Sequence, residues 1–310
     1  MIVVPSIHTA GEVIARVGDL TPGGVHRALD MVRRVGGKPV NIARFVAIMG
    51  GSARLIAVAD ADLGRRLRVE AADPALGSRL DLEVVPSPVP SRTDVAIVDD
   101  AGALTVVNGR AATPGPAILE RVVELIAARL VPRDVLVLAG SLPTGVDADI
   151  MTRLVRLART AGATTIVDSS GSPLAAALVA GPDVVKVSVE ELANVRGDGD
   201  APRAWRAGRR LAPEPPALIV SRGDRGARAW LDTGVYRIRP PSQVPVNPLG
   251  AGDALTAGLA AMLAAGGSIL EGIVAGCGWA AAEVGEFDLT LDPARARALA
   301  SQVVVTRSRS

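Results

Sequence analysis

Short apolar runs recur along the chain, separated by stretches with helical spacing. Arg54–Ala59, Val135–Ala139, Thr165–Asp168, Val184–Val187 and Ala217–Ser221 are each largely apolar and end near Gly, Ser or Asp. Runs of this kind read as strands buried on both faces. Helical patterns lie between them over Asn41–Met49, Pro116–Leu130, Ala148–Ala161 and Pro173–Leu178, and an Ala/Leu-rich helix is predicted over Ala254–Ala265. This alternation predicts an α/β fold, a mostly parallel central sheet flanked by helices on both faces. Ligands of such sheets collect at the C-terminal strand ends. The rim carrying Ser141, Asp168, Ser188 and Ser221 is therefore the expected site edge.

Two regions break the rhythm. Glu12–Val35 and Asp94–Asn108 mix polar and apolar positions, with turn signals at Pro22-Gly23-Gly24 and Asp100-Ala101-Gly102. They read as antiparallel hairpins at about residues 12–35 and 92–110. The pattern is compatible with a small β-sheet lid over the active site and with an edge extension of the main sheet. No Gly/Ser-rich linker divides the chain, so a single domain over residues 1–310 is expected. Ala96, Val98 and Val106 hint at an apolar outer lid face, and so at a homodimer through the lid.

Composition narrows the function classes. Aromatic residues make up 2% of the chain, which argues against stacking platforms for single-stranded nucleic acid. The formal net charge is only +2, so no nucleic-acid partner is expected. No uncharged apolar run approaches the ~18 residues of a membrane span, and no leader-like segment opens the chain. A soluble cytoplasmic protein is the expectation. Cys277 has no second cysteine to pair with and reads, like Trp205 and Trp230, as packing. Thr306–Ser310 reads as a frayed end. Only Lys38 and Lys186, among 34 basic residues, are lysines. A compact ammonium is needed at both places or they are chance.

Local chemistry concentrates at two glycine-rich segments. In Asn247-Pro248-Leu249-Gly250-Ala251-Gly252-Asp253, the glycines permit backbone N–H groups to converge as an anion cradle at a helix start. Asp253 would face the same spot as a base, the pairing that phosphoryl transfer to a hydroxyl requires. Gly and Asp are equally ordinary helix-cap residues. In Gly36-Gly37-Lys38-Pro39-Val40-Asn41, a cation and an amide follow a glycine pair, which suits a ligand or a hairpin exit into a capped helix.

Together these segments resemble the ribokinase-like (phosphofructokinase B) carbohydrate kinases. Ala139–Val146 is similar to a segment of the 1-phosphofructokinase and tagatose-6-phosphate kinase branch. Asp168–Gly171, Lys186–Leu192 and Ser221–Gly226 fall in the same order as in the family. The resemblance implies ATP-dependent phosphorylation of a sugar or sugar-phosphate hydroxyl, with Mg²⁺. It implies Asp253 as catalytic base and Gly250, Ala251 and Gly252 as the anion hole. Lys186, Ser188 and Glu191 would surround the ATP phosphates, with Glu191 reaching Mg²⁺ through water. Ser221, Gly223 and Gly226 would form a nucleotide turn. Gly37, Lys38 and Asn41 would contact the sugar, and Arg92 its phosphate. The strand-end Ser141 belongs to the same substrate rim, while Arg222 and Arg225 read as solvated.

Three departures fall inside these motifs. His8 stands in Val4–His8 where the branch carries an aspartate that grips sugar hydroxyls. A lone His suits ligand contact or structure alike. Ser188 replaces the asparagine of the Lys-Pro-Asn element, and Asp94 replaces the asparagine after Arg-Thr. A carboxylate at 94 would repel a sugar phosphate unless Arg92 neutralises it. Two further readings follow: a kinase for a nucleoside or an unusual sugar, and a weakly active regulatory or binding protein on a kinase scaffold.

Overall fold

The computed structural model describes residues 1–196 and 217–308, side chains only to 193 within the first stretch. Trp205 lies outside the described residues. Seven strands run parallel: β1 (Ile2–Ser6), β4 (Ala53–Ala59), β5 (Leu80–Pro86), β8 (Val135–Ala139), β9 (Thr164–Asp168), β10 (Val184–Ser188) and β11 (Ala217–Ser221). Three antiparallel strands extend that sheet past β11: β12 (Ala227–Leu231), β13 (Gly234–Arg239) and β14 (Val304–Arg307). The order is β14-β13-β12-β11-β10-β9-β8-β1-β4-β5.

Strand alternation divides the core. Ile2, Val4, Leu55 and Ala57 face one cluster, packed by α1 (Lys38–Ile48), α7 (Ala251–Ala264), α8 (Ile269–Glu283) and α9 (Pro293–Ala300). Val3, Ile56 and Val58 face the other, packed by α3 (Pro116–Arg129), α4 (Asp149–Ala161), α5 (Gly171–Val179) and α6 (Val189–Arg196). α2 (Ala61–Ala71) joins the first cluster through Leu63 and Leu67, and Asp60 caps it by accepting from the Leu63 N–H.

The two hairpins form a second sheet, ordered β3-β2-β6-β7. β2 (Ala10–Arg16) and β3 (Asp30–Gly36) make one hairpin, β6 (Arg92–Val98) and β7 (Leu104–Val107) the other. β2 pairs with β6 in parallel, joining the hairpins to each other rather than to the main sheet. Two readings need correction. Ala96 and Val98 are buried and so make no apolar outer face, while Val106 is 41% exposed and also lines the cavity under this sheet. The tail is not frayed through Thr306 and Arg307, because β14 pairs with β13 there.

Helix α7 carries Asp253, and its seat on α8 is backbone against backbone. A Cβ on Gly258 would stand 2.5 Å from Gly276 Cα, and one on Gly276 would stand 2.3 Å from the Leu255 carbonyl oxygen. Neither contact can yield by rotating a side chain. Gly276→Val is expected to lower unfolding free energy by about 1–3 kcal/mol, read by urea denaturation.

Candidate active site

The parallel strands end beneath the small sheet, where a cavity of about 370 Å³ opens. α1, the loop after β8, α6 and the start of α7 supply its floor, through Lys38, Asn41, Ser141, Glu191 and Asp253. The small sheet supplies its roof, through Glu12, Arg92, Asp94, Ala96 and Val106, with Asn108 just beyond β7.

At the floor, Asp168 ends β9 with its carboxylate fully buried. Oδ1 accepts from Lys38 Nζ at 3.0 Å. Oδ2 accepts from Lys186 Nζ at 2.9 Å and Thr256 Oγ1 at 2.6 Å. Burial alone would raise its proton affinity, but Lys186, Lys38 and the Thr256 hydroxyl outweigh that and hold it well below the usual carboxylate range. Lys38 also donates to Glu191 Oε1 at 2.7 Å. The other Glu191 oxygen accepts the Ser188 N–H at 2.7 Å. Both lysines of the chain thus converge on one carboxylate.

Asp253 occupies the first turn of α7 and is 6% exposed. Its Oδ2 accepts from Asn41 Nδ2 at 2.9 Å. Burial pushes its carboxyl up to about 7, with the Lys38 ammonium opposing that rise and the Asp168 carboxylate adding to it. Gly250 precedes the helix at φ 86°, in the left-handed region. A Cβ there would also lie 2.2 Å from Leu289 Cδ2. Gly252 is helical and needs space rather than an unusual angle: its Cβ would sit 3.2 Å from Lys186 Nζ. The first N–H groups of a helix have no partner within it, so Ala251, Gly252 and Asp253 present donors beside that ammonium.

His8 follows β1, and its Nδ1 contacts Ser141 Oγ at 2.9 Å. Its Nε2 is buried and unpartnered. Burial first, then the Arg92 guanidinium, pull the imidazole down to about 4 against the Ser141 contact, so it is neutral at pH 7. Arg92 Nη2 meets Asp94 Oδ2 at 3.1 Å, and Asp94 Oδ1 accepts the Gly109 N–H at 2.9 Å. The cation expected to face a ligand phosphate is therefore already matched by a carboxylate.

The cavity gathers His8, Gly37, Lys38, Asn41, Arg92, Asp94, Ser141, Glu191, Gly250, Gly252 and Asp253 from the sequence-derived set. Lys186, Ser188, Ser221, Gly223, Gly226 and Ala251 do not line it. Lys186 is 2% exposed and held by Asp168, beneath the glycine turn rather than open to solvent. Ser188 and Ser221 are register partners at the ends of β10 and β11, next along the same rim. Gly223 opens a short 3₁₀ turn there, and Gly226 ends it at φ 79°, where a Cβ would strike the Ile238 carbonyl. Arg222 and Arg225 are exposed. Glu12 and Asn108 carry no signal in the sequence, and Asp168 shows there only as a polar strand end and as the start of a motif in the family's order, with no site role.

Comparison with known proteins fits this arrangement. Residues 4–295 match the family model described as pfkB family carbohydrate kinase. A 1-phosphofructokinase from Rhodobacter capsulatus is 31% identical over 308 residues, 97% of this chain and 96% of that one. A tagatose-6-phosphate kinase from Staphylococcus epidermidis is 37% identical over 136 residues, and this match spans only 44% of that relative's length and 42% of this chain. Phosphofructokinase-2 from Escherichia coli, solved with substrates and products, superposes with a TM-score of 0.84 at 24% identity, covering 97% of this chain and 98% of that one. The fold is that of the ribokinase-like kinases. The chain belongs to the pfkB family of carbohydrate kinases. Among the described residues no helix is long and apolar enough to cross a membrane.

Asp168→Asn is expected to cost about 3–5 kcal/mol of stability, because the buried Lys186 ammonium loses its carboxylate while Lys38 keeps only Glu191. Asp168→Asn with Lys186→Met should recover part of that loss in thermal unfolding. Since the Asp168 carboxyl is depressed in the folded state, its stabilisation is complete above about pH 4 and is withdrawn as pH falls toward the folded value.

Proposed function

We propose that the chain transfers the γ-phosphoryl group of ATP to a hydroxyl of a sugar or sugar phosphate. Asp253 takes the hydroxyl proton as the oxygen attacks phosphorus, and ADP leaves. The observation that carries this reading is Asp253 itself: a buried carboxyl at the cavity floor, poised near pH 7, within the first turn of α7, whose N–H groups have no partner in the helix. A base tuned near the working pH is the efficient one. Gly250, Ala251 and Gly252 hold the transferred oxygens, with Lys186 beneath them neutralising charge.

ATP lies along the rim from Glu191 past Ser188 to the turn of Ser221, Gly223 and Gly226. Glu191 offers one pocket-wall carboxylate, which fits a Mg²⁺ held mainly by phosphates and water. Mg²⁺ there would neutralise phosphate charge, with Glu191 reaching it through water. The small sheet acts as a lid that excludes water over the acceptor.

The names of the relatives favour a phosphorylated hexose, with Arg92 and Lys38 facing its phosphate and His8, Asn41 and Ser141 its hydroxyls. A second reading, an unphosphorylated sugar or a nucleoside, is favoured by one observation. Arg92 is already paired with Asp94, and Lys38 with Asp168 and Glu191. Turnover on fructose 1-phosphate, tagatose 6-phosphate, free hexoses and nucleosides at fixed ATP·Mg²⁺ separates the two. Silence across that panel with ligand binding retained would point instead to a binding protein.

Asp253→Asn is expected to lower kcat by about 10²–10⁴-fold with ATP affinity nearly unchanged. In the parent enzyme kcat should rise with pH through about 7, as Asp253 loses its proton. A variant that keeps full turnover would remove the assignment of Asp253 as base.

A further inference from the structure

A row of buried charges crosses the small sheet. Arg34 of β3 stands opposite Glu12 of β2, which stands opposite Asp94 of β6. Arg34 is not among the residues lining the cavity, yet its guanidinium reaches the catalytic floor. Nη2 donates to Asn41 Oδ1 at 2.5 Å, and Nη1 donates to the Asp288 carbonyl at 3.0 Å. Arg44 Nη1 adds a longer 3.4 Å donor to the same Asn41 oxygen. An amide whose oxygen is gripped by guanidinium donors has only its NH₂ to offer elsewhere. That NH₂ donates to Asp253 Oδ2 at 2.9 Å. The reversed amide would set NH₂ against a guanidinium and oxygen against a carboxylate, a repulsive contact at each end.

We propose that Arg34 is a positioning residue for phosphoryl transfer: by holding the Asn41 amide oxygen, it fixes the amide NH₂ on Asp253 and keeps that carboxylate available to accept a proton. The inference rests on Asp253 being the base. Arg34 never touches the acceptor; it acts through Asn41, and it ties a strand of the small sheet to the site floor.

The surrounding charges leave the main hold on Asn41 to Arg34, since Arg44 spends its other nitrogen on the Val35 carbonyl and Glu70 and reaches the Asn41 oxygen only at 3.4 Å. Asp253 faces Lys38 of α1, Asp168 of β9 and Lys186 of β10, with Glu283 of α8 further off. Arg34 faces Glu12 of β2, whose Oε2 is 3.5 Å from its Nε, together with Glu70 of α2 and Glu283 of α8. Glu286 and Asp288, just past α8, also face Glu283. Glu283 is fully buried with both carboxylate oxygens unpartnered, and burial pushes its carboxyl up to about 8, so it keeps its proton at neutral pH. The Arg34 fork is thus spent on Asn41 and the Asp288 carbonyl. Among these groups, only Asn41 hydrogen-bonds Asp253.

The test titrates Asp253 without needing to know the acceptor. Full-length protein labelled with ¹³C at aspartate carboxyls is followed by NMR from pH 5 to 9, and Asp253 is identified as the resonance lost in Asp253→Asn. Arg34→Met is expected to raise the Asp253 midpoint by about one pH unit, the scale of a lost hydrogen bond to a charged group. Arg34→Lys, which keeps the charge but not the fork, should give a smaller shift. Asn41→Ala should shift it like Arg34→Met, and the double variant should add nothing to Asn41→Ala. With any acceptor turned over, the rising limb of kcat against pH should move by the same amount in Arg34→Met, leaving KM for ATP unchanged. An unmoved midpoint, or shifts that add in the double variant, would overturn the proposal, because Arg34 would then act on Asp253 directly or not at all. If Arg34→Met fails to fold, Arg34→Lys and Asn41→Ala carry the same comparison. Turnover surviving in Asp253→Asn would fail the base assignment; the titration would still decide the Arg34–Asn41–Asp253 coupling.

Discussion

The site depends on one buried carboxylate. Asp168 is removed from solvent at the end of β9 and held by ammoniums from α1 and β10 and a hydroxyl from α7. Burying such a charge costs several kcal/mol unless its partners stand in good geometry. The attraction that offsets this cost is also what draws the starts of α1 and α7 together over the C-terminal rim of the sheet. Lysine suits both partner positions, since two compact ammoniums can approach one carboxylate where two planar guanidinium forks would crowd. In a chain otherwise so reliant on arginine, both lysines fall at this point.

The same cluster accounts for the character of Asp253. Lys38 and Lys186 supply two positive charges, and Asp168, Glu191 and Asp253 supply three carboxyls. Asp168 and Glu191 hold the ammoniums at close range. Asp253 is left with an amide hydrogen bond and a more distant field, and burial dominates its proton affinity. Two carboxyls of one floor therefore part company: one stays ionised, the other is poised to exchange a proton. Environment rather than residue type makes that division.

The small sheet belongs to the same electrostatic system. Its buried face carries Arg34, Glu12 and Asp94, and Arg92 at the start of β6 pairs along that strand with Asp94. Charges buried at a sheet face are costly, and here they meet partners from other elements: Arg34 reaches Asn41 and the Asp288 carbonyl, and Asp94 takes the Gly109 N–H. A roof built this way is registered to the floor by directional bonds, whereas apolar packing alone would let it slide.

β4, β8, β9, β10 and β11 and α1, α3, α4, α5 and α7 are readable from apolar runs and helical spacing, to within a few residues at their ends, whereas the central β1 is not among the predicted strands. α8 is not legible in the sequence because Gly272, Gly276 and Gly278 weaken its helical signal and its burial leaves little amphipathic stripe. β13 and the edge strand β14 lie at the solvated end of the sheet, where little burial leaves only short apolar runs. Among site residues, the glycine-rich segments around Lys38 and Asp253 were readable because turns and helix starts demand particular residue types locally. The lysine-locked state of Asp168 and the role of Arg34 are not, since nothing local distinguishes a buried charge with partners from a solvated one. The sequence by itself determined the element types, the order of the motifs and the resemblance to a kinase family, because periodicity and turn chemistry act over a few residues. Only the tertiary structure decided that the hairpins form a separate sheet, which carboxyl is locked by lysines and which is left near neutrality. Those outcomes depend on distances between groups far apart in the chain, such as Asn41 and Asp253, separated by 212 positions and joined by one hydrogen bond.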